Sequence, residues 1–245
     1  MRLNRIIHSL LFWAVLFVVV VAIWLFAPLV SLLGFSRKDV YCNGQKIASK
    51  ILLLVSGCKI IVKGLKNIPL KKPFIVASNH QSFFDTFLIL AIFPFRLIFI
   101  MDSWLFSYPF FGNNCRNAGY IEIKSKSGKD AFSAIKKSIL SVKSGQSIVV
   151  FPEGERTRNN QLLEFKEGVS TIALETDAPV VPVAISGSFG VMRRGDWMLY
   201  PGVLKIMIGK PLIPDYYRQL GKNSYSEFTK EIRNSIEELL SSSNS

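Results

Sequence analysis

A histidine and an aspartate, two residue types suited to moving protons, stand five positions apart in Asn79-His80-Gln81-Ser82-Phe83-Phe84-Asp85. The apolar run Phe74–Ser78 before them reads as a buried strand, and Thr86–Phe93 after them reads as a helix. A histidine closing a strand and a carboxylate in the opening turn of the next helix can meet across that turn. The carboxylate then holds one ring nitrogen of His80 and leaves the other to take a proton, which makes a general base with an orienting partner. Asp85 would also stand where the helix dipole favours an anion. The same stretch fits a turn residue followed by a helix cap, since short motifs also match by chance.

A second group follows another apolar run, Ser147–Phe151, in Phe151-Pro152-Glu153-Gly154-Glu155-Arg156-Thr157-Arg158. If the two strands are parallel, this loop and His80 share one sheet end, where open α/β sheets place ligands. Arg156 and Arg158 carry planar donor sets suited to phosphate. Glu153 is placed to accept a hydrogen bond from a substrate hydroxyl, and Gly154 lets backbone approach a ligand closely. Lys166, just before the next helix, is a poor choice for helix stability at that end, a cost that a bound anion would offset. Pro182 in the strand-like Val181-Pro182-Val183 predicts an edge or a local irregularity. A charged surface loop is the rival reading of 153–158, but it leaves the Pro-Glu-Gly core unexplained.

The elements that must hold these residues alternate. Strands are expected at 96–100, 119–124, 147–151, 180–185 and 203–208. Helices are expected around Ala131–Leu140, from Glu167 to Thr176, and from Ser224 toward Leu240, the last opened by a Ser224/Glu227 capping box. This is an α/β pattern: a mixed, largely parallel sheet flanked by helices. In front of it, Ser9–Ser36 carries no charged side chain, and Leu10–Val30 is almost wholly apolar. About twenty such residues suffice to cross a bilayer's hydrocarbon core. A cleaved signal peptide is disfavoured, because the run is too long and lacks a small-x-small cleavage site. The division expected is an N-terminal transmembrane anchor at 1–36, an interfacial or linking helical segment at 37–63, a catalytic domain at 64–240 and a polar tail at 241–245. Within 44–63, a helix lying among lipid headgroups and an ordinary domain helix leading into a first strand fit the pattern equally well. Arg37, Lys38, Lys46 and Lys50 outnumber Arg2 and Arg5 across the apolar run, which predicts a cytoplasmic catalytic domain.

Composition narrows the class. Hydrophobic residues make up 49% of the 245 positions, and the formal charge is +13. Such a balance suits membranes and anionic substrates. The basic residues are scattered and no nucleic-acid-binding fold is evident, so no nucleic-acid partner is expected. Cys42, Cys58 and Cys115 are far apart and odd in number, which predicts free thiols in a reducing compartment. Two histidines in unlike settings, His8 and His80, argue against a metal site. No Gly-x-Ser-x-Gly elbow surrounds Ser82, which disfavours a serine hydrolase. A tethered anionic-lipid-binding module would not need both His80 and Asp85.

Taken together, the sequence resembles the 1-acyl-sn-glycerol-3-phosphate acyltransferase family of glycerolipid acyltransferases over roughly residues 64–211. Four blocks match in order: Asn79-His80 to Asp85; Gly119 to Lys124; Phe151-Pro152-Glu153-Gly154 with Arg156; and Val181-Pro182-Val183. Two departures stand out. The family usually carries an arginine where Ser125 stands, with only Lys124 and Lys126 beside it here, and a threonine is common at Glu155. The resemblance implies that His80 deprotonates the free hydroxyl of a lysophospholipid acceptor, most simply lysophosphatidic acid, and that Asp85 orients it. Acyl-CoA or acyl carrier protein would be the donor, with no cofactor and with membrane lipids as surroundings; the rival enzyme reading is acylation of another lyso-lipid, or remodelling by transfer from a phospholipid donor. The resemblance further implies that Arg156 binds acceptor phosphate and Glu153 the polar backbone. Gly154, Lys124, Lys126, Lys166 and Pro182 would join the substrate site, and Asn79, Ser82 or a backbone N–H would steady the oxyanion.

Overall fold

The computed structural model describes residues 2–124 and 128–243. Ser125 and Lys126 therefore lie outside the described residues. The chain begins with two helices, α1 (Arg2–Ser31) and α2 (Arg37–Val55), and enters the sheet at β1 (Lys59–Lys63). Then come β2 (Ile75–Ser78), α3 (Phe84–Ile92), β3 (Leu97–Asp102), and the short helices α4 (Ser103–Ser107) and α5 (Phe111–Ala118). β4 (Ile121–Ile123), α6 (Gly128–Lys143), β5 (Ser147–Val150), α7 (Gly168–Thr176) and β6 (Val180–Ser186) continue the alternation. The chain closes with α8 (Ser188–Val191), β7 (Val203–Ile208), α9 (Asp215–Arg218) and α10 (Ser224–Ser243).

The seven strands lie in the order β1-β7-β6-β2-β5-β3-β4. Pairing is parallel throughout except between β6 and β7. The expected mixed, largely parallel sheet is therefore present. β2 sits between β5 and β6, with Ile75 opposite both Ile148 and Val180, and all three strands are buried on both faces. That two-sided burial is why they read as continuous apolar runs and do not alternate. One group of helices (α1, α2, α3, α5) and another (α6, α7, α10) flank the sheet.

Three expectations are corrected and one open alternative is decided. β1 pairs with β7 from Lys59 to Lys63, so the sheet domain starts at Lys59 and not at residue 64. Of the two readings of 44–63, a domain helix leading into a strand is the one found: α2 buries Tyr41, Cys42, Leu52 and Leu53 and packs on α3 and α5. At the other end, α10 continues to Ser243, into the expected tail. Its capping box does not form, because the Ser224 hydroxyl donates to the Gly221 carbonyl and Glu227 pairs with Lys230.

Pro182 does produce the irregularity its missing N–H predicts. Antiparallel pairing of β6 stops at Val183↔Ile208 and resumes as the isolated bridge Val180↔Leu212. Residues 181–182 thus face residues 209–211 across a bulge. Pro182 is buried there against Gly209, where an added Cβ would stand 2.8 Å from the proline ring.

α1 is long and apolar enough to cross a membrane, and few of its residues are buried. It is nevertheless docked along the domain. Arg5 lies over the Tyr200 ring, Phe12 is fully buried and stacks on Phe84 at 5.3 Å, Asn114 donates to the Val20 carbonyl, and Trp24 packs edge-on to Phe110. Arg5 to Trp24 spans about 28 Å at 1.5 Å per residue, close to the thickness of a hydrocarbon core. The helix is thus no free tether: it is held against the domain from Arg5 to Trp24. Leu10, Phe17, Val18, Leu25, Phe26 and Leu29 form its exposed apolar side.

Candidate active site

The site grows from the carboxyl ends of three adjacent strands. His80 follows β2 and Asp85 lies in the first turn of α3, so the short connection brings the two side chains together. His80 Nδ1 lies 2.9 Å from Asp85 Oδ2. A carboxylate oxygen accepts only, so Nδ1 carries the proton and Nε2 presents its lone pair. The same Oδ2 accepts the backbone N–H groups of Gln81 (2.7 Å) and Ser82 (2.8 Å). Asp85 is fully buried, whereas the His80 side chain keeps 17% of its surface exposed. Asp85 therefore builds the turn as well as aiming the imidazole.

The loop after β5 holds the other side of the histidine. The His80 ring stacks on Phe151, with centroids 3.9 Å apart and planes 14° from parallel. Glu153 Oε1 accepts the His80 backbone N–H at 2.6 Å, and the His80 carbonyl accepts from the Thr157 N–H at 2.9 Å. Glu153 Oε2 accepts the Leu163 N–H at 2.9 Å. Burial pushes the Glu153 pKa up, while the two backbone donors and the nearby histidine pull against that rise. Glu153 is buried, with both carboxylate oxygens taken by backbone N–H groups, and does not line the cavity beside His80, unlike the substrate-facing position expected of it. It is a clamp between the His80 turn and the 155–165 loop.

Next to His80 opens a cavity of about 480 Å³. Its inner wall is apolar and includes Val19 of α1, Ala48 of α2, Phe87 of α3, Ala134 of α6 and Ile172 of α7. His80 lines it together with the charged residues Asp102, Glu155, Arg156, Lys166 and Arg194, with Arg194 paired to Glu155 and Arg156 close to Asp85 and Asp102. The Arg156 pKa is drawn below its ordinary value by burial first and by the charge of Arg194 second. Gly154, at φ +71°, lies under the Lys166 ammonium, where a Cβ would come within 2.9 Å of Nζ. An apolar chamber thus ends at an imidazole with an aimed lone pair and several cations. That combination can hold a hydrocarbon chain, take a proton from a hydroxyl and receive an anionic head group.

A sequence model of the acyltransferase family matches residues 59–186, the stretch that carries this dyad and its clamp. The chain belongs to the acyltransferase family. It is 33% identical over 156 residues to the chloroplastic 1-acyl-sn-glycerol-3-phosphate acyltransferase of Brassica napus, covering 63% of this chain and 45% of that protein. With the enzyme of the same name from Pseudomonas aeruginosa it shares 31% identity over 68% of this chain and 64% of the other. The matched part thus spans about half the length of the plant relative. The crystal structure of the 1-acyl-sn-glycerophosphate (LPA) acyltransferase PlsC from Thermotoga maritima superimposes with a TM-score of 0.83 at 26% identity, covering 96% of this chain and 94% of that one.

Within this family member, His80, Gly154, Arg156 and Lys166 all line the cavity, with Asp85 directly behind His80. Three expected residues do not. Glu153 is turned into the clamp, Pro182 is buried in the β6–β7 bulge, and Lys124 is exposed just past the end of β4 and does not itself line the cavity. Lys126 falls outside the described residues. Asn79 and Ser82, expected as oxyanion donors, are committed elsewhere. The Asn79 amide exchanges two hydrogen bonds with the backbone of Ile185, and the Ser82 hydroxyl donates to the Met192 carbonyl at 2.7 Å. The sequence reading missed Phe151 as the stacking platform and Arg194 as a member of the site. Phe151 was signalled by its place at the end of an apolar strand. The only trace of Arg194 was a basic pair before a glycine.

Among the described residues no cluster of His, Cys, Asp and Glu could hold a metal ion. Cys42 and Cys115 are buried thiols pushed up to about 12 by burial.

Proposed function

We propose that this protein moves a fatty acyl group from a thioester, acyl-CoA or acyl carrier protein, to the free hydroxyl of lysophosphatidic acid, giving phosphatidic acid. The observation that carries the reading is the His80–Asp85 pair at the junction between an apolar chamber and the cations around Arg156. His80 Nε2 takes the hydroxyl proton as the oxygen attacks the thioester carbonyl. A C–O bond forms, the tetrahedral intermediate collapses with cleavage of C–S, and the proton on His80 passes to the departing thiolate. Asp85 stabilises the imidazolium formed between these steps. The acyl chain occupies the apolar chamber, and Arg156 meets the acceptor phosphate. α1 seats the cavity beside the lipid phase from which acceptor is drawn, with the domain on the cytoplasmic side.

The test is acyl transfer by the full-length protein in lipid–detergent micelles, with labelled acyl-CoA and acyl carrier protein offered against a panel of lyso-lipids. Phosphatidic acid formation that His80→Ala abolishes, without loss of folding, is the expected result. Equal rates for wild type and His80→Ala, or transfer only to acceptors lacking a phosphomonoester, would overturn the reading.

A further inference from the structure

Arg194 lies outside every block that suggested chemistry, yet it lines the cavity beside Glu155 and Arg156. It sits at a corner of the Arg193–Asp196 turn, closed by the Asp196 N–H on the Arg193 carbonyl with Gly195 at φ +82°. The loop carrying this turn is pinned on both sides. Ahead of it, the Met192 carbonyl accepts from the Ser82 hydroxyl, within the His80–Asp85 turn itself. Behind it, α1 takes hold: Trp13 Nε1 donates to the Trp197 carbonyl at 2.7 Å, and the Leu199 N–H donates to Ser9 Oγ at 2.9 Å. Asp196 Oδ1 accepts the Met198 N–H and stiffens the stretch between. Arg194 Nη1 then donates to Glu155 Oε2 at 2.8 Å and approaches the Arg156 carbonyl at 3.4 Å.

Stability alone does not account for this placement. A partly exposed Arg–Glu pair contributes little to folding. Against that small gain stands the repulsion between Arg194 and Arg156, which adds to burial in drawing the Arg156 pKa down. Two guanidinium groups brought together at a cavity mouth gain most when an anion with several acceptor oxygens sits between them.

Building on the proposed acyl transfer to a phosphomonoester acceptor, we infer that Arg194 is a second phosphate-binding residue of the acceptor site. It is supplied by the loop after β6, steered by Glu155, and acts together with Arg156 on the same phosphate. The ligand chemistry is a phosphate monoester, which both the acceptor and the 3′-phosphate of a coenzyme A donor offer. The commitment is to the acceptor, because Arg156 lies near enough to Asp85 to feel its charge and Arg194 reaches the Arg156 backbone, so both arginines stand near the His80–Asp85 pair, where the acceptor hydroxyl must lie.

The test compares Arg194→Ala, Arg194→Lys and the adjacent Arg193→Ala in the full-length protein. Arg193 lies over the Phe189 ring and does not line the cavity. Initial rates are read against lysophosphatidic acid at saturating thioester, and against thioester at saturating acceptor. Binding of labelled lysophosphatidic acid is measured without thioester. Loss of one charge-assisted contact predicts a rise of about tenfold or more in acceptor KM and Kd for Arg194→Ala, with kcat within about threefold. Arg194→Lys should recover part of this loss, because a point charge replaces a planar fork. Arg193→Ala should match wild type. Unchanged acceptor KM and Kd in Arg194→Ala overturn the inference, as does a rise confined to the acyl-CoA KM. If wild type binds lysophosphatidic acid but does not acylate it, the proposed function fails while the binding data still decide Arg194. If wild type neither binds nor acylates it, both fail.

Discussion

Replacing Asp85 by asparagine separates the two jobs this carboxylate performs. Oδ2 accepts three hydrogen bonds, from His80 Nδ1 and from the N–H groups of Gln81 and Ser82, while the buried Oδ1 has no partner. In Asp85→Asn the amide oxygen must take the Oδ2 position, since an NH2 there would face three donors. The turn and the ring orientation then survive, and the amide NH2 is left buried and unpaired. That unmet donor costs about 1–3 kcal/mol of stability, or a few degrees in Tm. What disappears is the negative charge beside the imidazolium. At about 4 Å and an effective dielectric constant of 20, a unit pair is worth about 4 kcal/mol. With part of this recovered by the amide dipole, kcat should fall roughly 100- to 1,000-fold. Asp85→Ala removes the acceptor altogether, strands two backbone donors and should lose clearly more Tm. The assay is kcat for acyl transfer together with a thermal melt in the same micelles. An Asp85→Asn protein within about threefold of wild-type kcat would refute the electrostatic role and reduce Asp85 to a turn builder.

Glu153→Gln places an amide NH2 against one of two backbone N–H groups, at His80 or Leu163. It should cost about 1–3 kcal/mol in thermal or denaturant unfolding and lower kcat more than it raises either KM; an unchanged Tm would remove the clamp. Ala134→Leu fills part of the apolar chamber and should shift donor preference toward shorter chains, read by competition between thioesters of different length. At pH 8 only about one in ten thousand molecules would carry a Cys42 or Cys115 thiolate. The half-buried Cys58 should therefore be the thiol that native protein offers to an aromatic disulfide reagent, and a stoichiometry near three before unfolding would contradict that burial.

His80 and Asp85 were legible in the sequence because the contact between them is local. A strand end and the first turn of the next helix are joined by a few residues, so the spacing by itself brings the side chains within reach. Strands buried on both faces announce themselves as apolar runs, which is why β2, β3, β5 and β6 were placed nearly correctly. The apolar character of α1 was equally plain. Its docking was not, because the side of α1 packed on the domain and the side left exposed are both apolar, so the pattern reads like a lone transmembrane span.

The tertiary structure decided everything that depends on strand order and packing. β2 lies between β5 and β6, and that brings Glu153 to the His80 amide and the loop after β6 to Arg156, across separations of 73 and 38 residues. The same packing buried Pro182 in a bulge and turned Asn79 and Ser82 toward backbone partners. Residue type and short spacing determine which groups can meet within one turn. Which distant carboxylate becomes a clamp, and which arginine becomes a ligand, depends on burial and register set by the whole sheet.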